Sequence, residues 1–330
     1  MNGIRVFPRS TFYLATNTKF SFALTLLRAR IITEGAIFHP NAYLLGSYHA
    51  RRIMRSKTML NINLFRRKWF GVLTSLALMA TTTSWAQVDT MASVKQKGKI
   101  VVGVKADYKP FGYTDPSGKI VGMEIDLAND IAKRLGVAIE LIPVTGANRM
   151  EFVKQGRIDM LIATMAYRPD RAEIVSIPQP LYYAGAANVF AKKTSGLKNW
   201  ADLKGKPICG IQGAYYNRRT GEEFGAQMLV FKGVTEAMAA LEGGNCIGTV
   251  FDTTYFAGLD EAKWGSYAMV LPSIDPEPWG MGSRKEDAKF TAFLTDVSKE
   301  WHKTGFIIGL EKKWGMAQSP FLVEQQAKFK

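Results

Sequence analysis

Short apolar runs alternating with amphipathic segments constrain this chain more than any other feature. IVVGV (100–104) carries no polar side chain. A strand apolar on both faces must be covered on both, the condition of a parallel sheet lying between helices. MEIDLANDIAKRLG (123–136) follows, with Ile125, Ala128, Ile131, Ala132 and Leu135 on one helical face and Gly136 as its stop. IELIPV (139–144) and IDMLIAT (158–164) continue the apolar series, separated by a short helix ending near Gly156. This alternation predicts an α/β fold.

The rhythm restarts after a polar stretch at 191–206. PICGIQ (207–212), MLVF (228–231) and CIGTVF (246–251) read as strands, and VTEAMAALEGG (234–244) as a helix ended by Gly243 and Gly244. In PSIDPEPWG (272–280), Pro272, Pro276 and Pro278 are expected to break any element and mark a second boundary. Helical sequence returns from about Asp287. Two α/β units joined by two crossings predict two lobes, with a ligand cleft at the carboxyl ends of their strands.

The formal charge of +15 would suit a nucleic-acid partner, but its distribution argues against one. Residues 1–86 hold 12 of the 43 Lys and Arg and a single acid, Glu34, so most of the excess lies there. The remainder has no basic run and no nucleic-acid partner is expected. NLFRRKWFGVLTSLALMATTTSWAQ accounts for part of the leading excess. Arg66, Arg67 and Lys68 precede a short apolar stretch, 69–80, and Ser84-Trp85-Ala86 offers small residues at a cleavage site. Spanning a bilayer takes about 20 apolar residues, more than this stretch has. Residues 59–86 therefore read as a signal peptide ending near Ala86, which predicts a periplasmic protein. Residues 1–58 receive no fold and read as an upstream over-extension of the frame.

Several chemistries lack their residues. His302 is the one histidine after the cleavage site, and in KEWHKTG it is expected on a solvated helix surface. That excludes a histidine-based triad or a multi-histidine metal site. Neither G-x-G-x-x-G nor G-x-x-x-x-G-K-[ST] occurs, so no metal and no cofactor is expected. Glu124 and Asp126 are expected on a helix surface. Cys209 and Cys246, without a C-x-x-C, fit either one disulfide in an exported chain or two buried thiols.

An ordered set of segments carries a resemblance to a known family. GKIVVGVKADYKPFGYTDPSGKIVGMEIDLANDIAKRLG (98–136), GRIDMLIATMAYRPDRAEIV (156–175), LYYAG (181–185), ADLKGKPICGIQGAYY (201–216) and ALEGGNCIGTVFD (240–252) resemble the periplasmic solute-binding proteins of amino-acid ABC transporters, family 3. The resemblance runs from about Lys97 to Trp314. It implies the type II periplasmic-binding-protein fold, two Rossmann-like lobes joined by two hinge strands that close over one amino acid. It divides the chain into 97–188 as the first part of lobe one, 189–283 as lobe two, and 284–330 as the return to lobe one with the C-terminal helices. It also implies a monomer that hands its ligand transiently to a membrane ABC permease, with no catalysis.

Roles follow position by position from the same resemblance. Arg171 matches the arginine that holds the ligand's α-carboxylate, and Asp252 the acid that pairs with its α-ammonium. Thr164 and Ala166 stand where relatives offer hydroxyl or backbone groups, and Ala214 and Tyr215 lie at a turn that presents backbone N–H. Lys105 replaces the acid found in binders of cationic amino acids, and Arg149 matches an Asn-Arg pair of glutamate/aspartate binders. Tyr108 would line the pocket. Gly146, where many relatives have an aromatic ring, leaves room for a longer polar side chain. Together these residues imply an acidic or polar amino acid, glutamate/aspartate-like. Arg168 and Tyr215 depart from the small hydroxyl residues of the family pattern. The resemblance also implies a Cys209–Cys246 disulfide. A second reading, an exported enzyme like cyclohexadienyl dehydratase, needs only the carboxylate-binding arginine and an acid on the same scaffold.

Overall fold

The computed structural model describes residues 88–330. The expected signal peptide, 59–86, and the unassigned segment 1–58 lie outside the described residues.

The first apolar series builds a main sheet and a small one beside it. Its strands are Lys99–Val104 (β1), Asp107–Tyr108 (β2), Gly112–Thr114 (β3), Ile120–Val121 (β4), Ala138–Pro143 (β5) and Met160–Leu161 (β6). β1 lies at the centre, parallel to β5 along its length and to β6 at Val102 and Gly103. β2, β3 and β4 form a small antiparallel sheet of their own. The helix Met123–Leu135 buries Ile125, Leu127, Ala128, Ile131 and Leu135. Acids in its first turn and Lys133 and Arg134 in its last complement the macrodipole, and Gly136, at φ 69°, ends it in the left-handed conformation.

The second series builds the other sheet from Tyr183–Lys192 (β7), Pro207–Ile211 (β8), Gln227–Phe231 (β9), Gly248–Asp252 (β10), Tyr267–Met269 (β11) and Ile274–Trp279 (β12). Its order is β11-β7-β10-β8-β9, with β12 also paired to β7. Cys209, within β8, is bonded to Cys246 at the approach to β10, their Cα atoms 5.7 Å apart and 37 residues apart in sequence. A cross-link closing a loop of this size contributes about 2–4 kcal/mol.

Three expectations are corrected here. PSIDPEPWG was expected to break any element, yet Ile274–Trp279 is a strand. Proline is tolerated on a strand that bulges, and this one shifts register between Ile274 and Glu277 while pairing antiparallel to β7. The return to the first sheet falls at Gly282, ahead of the expected residue 284, because Gly282–Ser283 (β13) pairs antiparallel to β6. β7 and β12 are the crossings between the lobes. Third, His302 is not solvated but 2 % exposed. The helix Ala288–Thr304 is covered on two sides. Trp301 donates to Asp130 Oδ2 at 2.8 Å, and the His302 ring stacks on Phe329 of the C-terminal helix Pro320–Phe329 while its Nε2 meets the Leu181 carbonyl at 2.8 Å. Burial lowers its pKa. No described helix is long and apolar enough to cross a membrane.

Candidate functional site

The two sheets present their strand ends to one cleft enclosing about 420 Å³ of atom-free space, part of it open to solvent. Lys105, Arg149, Thr164, Ala166 and Arg171 line it from the first lobe, and Ala214, Tyr215 and Asp252 from the second. Eight of the nine residues expected to bind ligand therefore meet there. Tyr108 does not line the cleft. It is fully buried behind it, where its hydroxyl lies 3.1 Å from Asp252 Oδ2 and 2.6 Å from Thr254 Oγ1. Its role is to hold the acid rather than to form the wall.

Arg171 sits in a short helix, Pro169–Ala172, whose proline supplies the first-turn φ without wasting an N–H. Its guanidinium donates to the Ala166 carbonyl and, across the cleft, to the Gly213 carbonyl, both at 3.0 Å. Burial pulls its pKa down. Arg168, the helix-capping residue, turns outward instead and pairs with Asp170 at 3.3 Å. The departure from the family's capping hydroxyl thus lies outside the group of buried cations.

Asp252 ends β10 and is 6 % exposed. Burial pushes its carboxyl up to about 7, against the opposing pull of the Tyr108 hydroxyl, Arg149, Lys105 and Arg171. A cationic group brought beside it would restore its charge. Tyr215 is the second departure from the family pattern. Its hydroxyl is buried without a hydrogen-bond partner, and burial raises its pKa.

Lys105 and Arg149 are both 5 % exposed, but their charges stand differently. Lys105 Nζ lies 2.7 Å from Asp107 Oδ1, whose other oxygen accepts the Val234 N–H at 3.1 Å. The expected free cation is therefore an ion pair, capped by the start of the second-lobe helix Val234–Glu242. Arg149 donates to the Ala163 carbonyl and leaves its Nε–H buried without a partner. Among the described residues no carboxylate lies within ion-pair distance of it. Burial, with Arg171 nearby, pulls its pKa down to about 10, so it stays charged at neutral pH.

Two features of the site were not expected. Glu124 was placed on a helix surface and is instead fully buried. Its Oε1 accepts the Thr164 N–H at 2.7 Å and the Tyr182 hydroxyl, while its Oε2 has no partner. Burial pushes its carboxyl up to about 7. The bond fixes Thr164 at φ 47°, a left-handed conformation costly for a β-branched residue. The Thr164 N–H is thereby spent and is not free for a ligand. Trp279, on the proline-rich crossing, also lines the cleft, its ring against Gly185, where a Cβ would come within 2.3 Å of it. Gly146 and Gly213 bring the two lobes together backbone to backbone. A Cβ on Gly146 would lie 2.6 Å from the Gln212 carbonyl oxygen. Among the described residues no group of three or more His, Cys, Asp or Glu could hold a metal ion.

Residues 100–317 match the bacterial extracellular solute-binding proteins, family 3. The chain belongs to this family. It is 30 % identical to the glutamine-binding protein of Geobacillus stearothermophilus, over 66 % of this chain and 84 % of that one. Among solved structures, a mutant of ArgBP from T. maritima superposes with a TM-score of 0.65 at 27 % identity, covering 68 % of this chain and 98 % of that one. The solute receptor for L-cysteine of Neisseria gonorrhoeae superposes with a TM-score of 0.64 at 26 % identity, covering 68 % and 92 %. These likenesses extend over both lobes, and the family is one of binding proteins rather than enzymes.

Proposed function

We propose that the cleft clamps the zwitterionic head of one α-amino acid, with an acidic or polar side chain of the glutamate/aspartate type. The protein then delivers it to an ABC permease in the membrane. The observation that carries this reading is the opposition of Arg171 on one lobe to Asp252 on the other. A guanidinium offers two parallel donors to a carboxylate, and a buried carboxylate offers an ammonium its counter-charge. Neither lobe alone holds both, so binding favours closure.

The side-chain end of the pocket supports an acceptor-bearing ligand. Arg149 is buried, charged and without a carboxylate at ion-pair distance, with an N–H that has no partner. A ligand carboxylate or carboxamide supplies what that group lacks, whereas a cationic side chain would meet like charge from Arg149 and Arg171. Lys105 contributes less, its charge being matched by Asp107. The names of the relatives span glutamine, arginine-binding and cysteine proteins, so ligand choice is argued from these residues. The signal-like sequence around Arg66, Arg67 and Lys68 supports export to the periplasm, and the chain is expected to act as a monomer.

A thermal-shift screen of refolded, ligand-stripped protein against the amino acids tests the reading. A ligand at 100 times its Kd adds about 2.7 kcal/mol. Glutamate and aspartate should raise Tm most, glutamine less, and lysine and arginine not at all. Stabilisation by lysine or arginine with inert glutamate and aspartate would overturn the ligand assignment.

A further inference from the structure

The cleft's cations are matched unequally. Lys105 has Asp107 in direct contact, and Arg171 gives two of its five N–H donors to carbonyls and keeps the others for the place proposed for the α-carboxylate. Arg149 has one carbonyl and no carboxylate in contact. The acidic groups that act on it through space are Tyr182, Glu124 and Asp252, and burial keeps the Tyr182 hydroxyl protonated. Asp252 is committed to the ligand's ammonium in the proposed function, which leaves Glu124.

Glu124 is built into the wall below the cleft. It reaches there from the first turn of the helix Met123–Leu135, and its backbone N–H is anchored on the Phe111 carbonyl at 2.9 Å. One carboxylate oxygen ties together Thr164, on the cleft surface, and Tyr182, at the start of the first crossing. The other oxygen is buried and unpaired. Arg149 and Glu124 hold the two sides of one peptide unit, Arg149 on the Ala163 carbonyl and Glu124 on the Thr164 N–H. The charged and titratable groups that act on Glu124 are Tyr182, Arg149 and Lys105. Of the two cations, Lys105 already has its counter-ion.

We infer that Glu124 is a specificity-determining residue whose charge sets how strongly the cleft prefers a ligand with a second carboxylate over the same ligand with a carboxamide. With Glu124 ionised, the side-chain end holds Arg149 and Glu124 in approximate balance, and a carboxamide fits with little electrostatic cost. With Glu124 protonated, Arg149 is unmatched and a second carboxylate completes it. Because burial places this protonation near neutrality, the preference varies with pH. Asp252 titrates in the same range, but it meets the α-ammonium that both ligands share, so its contribution cancels in the ratio of their affinities.

The inference rests on the amino-acid reading above, and one experiment separates the two. Calorimetric Kd values for glutamate and glutamine are measured on the whole ligand-stripped protein from pH 6 to 8.5, a range in which the glutamate side chain stays ionised. The preference for glutamate should fall about tenfold as pH rises, the size of a one-unit interaction between neighbouring charges. Glu124→Gln keeps an oxygen for the Thr164 N–H and the Tyr182 hydroxyl, and its preference should stay at the low-pH value throughout. A ratio in the unaltered protein that does not move with pH overturns the inference while leaving the amino-acid reading intact. So does an E124Q ratio that still falls with pH. If neither amino acid binds, the reading of the site falls and the inference with it. Should E124Q fail to fold, the pH dependence of the ratio in the unaltered protein decides alone. A purely structural role for Glu124 would lower Tm and both affinities without changing their ratio.

Discussion

The two lobes bring different chemistry to one cleft. The first supplies every cation, Lys105, Arg149 and Arg171, and fixes them with backbone carbonyls and an ion pair. Among the described residues, the second supplies the one acid on the cleft surface, Asp252, and a turn at Gln212–Tyr215 that offers carbonyls and a ring. Each lobe brings charge that burial in the shared cleft penalises: Arg149 and Arg171 are pulled down in pKa, and Asp252 is pushed up. A zwitterion spanning the cleft relieves both. In the proposed function, binding and closure are thus one event, driven by charge that neither half can satisfy.

Removing the central cation should break this complementarity most severely. Arg171→Met takes away the carboxylate fork and the donor that reaches Gly213, and should cost about 3 kcal/mol or more in ligand affinity by calorimetry. Asp252→Asn acts from the opposite lobe and should cost about 2 kcal/mol at pH 8, with little loss at pH 5.5, where the carboxyl is already neutral. Its effect on the ligand-free fold has the opposite sign. The folded pKa is raised from 3.8 to about 7, so the ionised acid disfavours folding. Stability contributed by the proton is complete below pH 4 and lost as pH rises to about 7. Denaturation of ligand-free D252N should therefore show higher stability than the unaltered protein at pH 8 and no difference at pH 4.

Gly146→Ala probes the seam rather than the charges. Its methyl group would meet the Gln212 carbonyl only when the lobes are together, so affinity should fall about tenfold, or about 1.4 kcal/mol. Ligand-free Tm should stay unchanged. Equal losses in Tm and affinity would show that the contact is not specific to closure. Arg168→Ala should do least. Its exposed pair with Asp170 predicts a change below about 0.5 kcal/mol in either affinity or stability.

The parts of this architecture that depend on local pattern were readable in the sequence. The two apolar series, the helix 123–135 with its Gly136 stop, and the ordered segments bearing Arg171, Asp252 and the cysteine pair all appear where expected. What escaped depends on long-range contact. An acid in a helix's first turn is ordinarily a solvated partner of the dipole, and nothing local to Glu124 announces Thr164, 40 residues away, or Tyr182, 58 away. His302 was hidden by the C-terminal helix that covers it. β12 was hidden by prolines that its bulge accommodates. The Lys105–Asp107 pair, by contrast, carried a usable signal. Lys105 lies in the two-residue connection between β1 and β2 and Asp107 opens β2, and opposite charges so close in sequence readily meet.

In the proposed function, Arg171 and Asp252 hold the two charges of one amino-acid head from opposite lobes. Calorimetry of the ligand-stripped protein with glutamate, its α-carboxamide and its N-acetyl derivative tests it directly. Each derivative neutralises one end of the head and keeps the side chain. Both should bind at least 100-fold more weakly than glutamate, the first for want of a partner for Arg171 and the second for Asp252. Binding of either within threefold of glutamate would contradict the clamp.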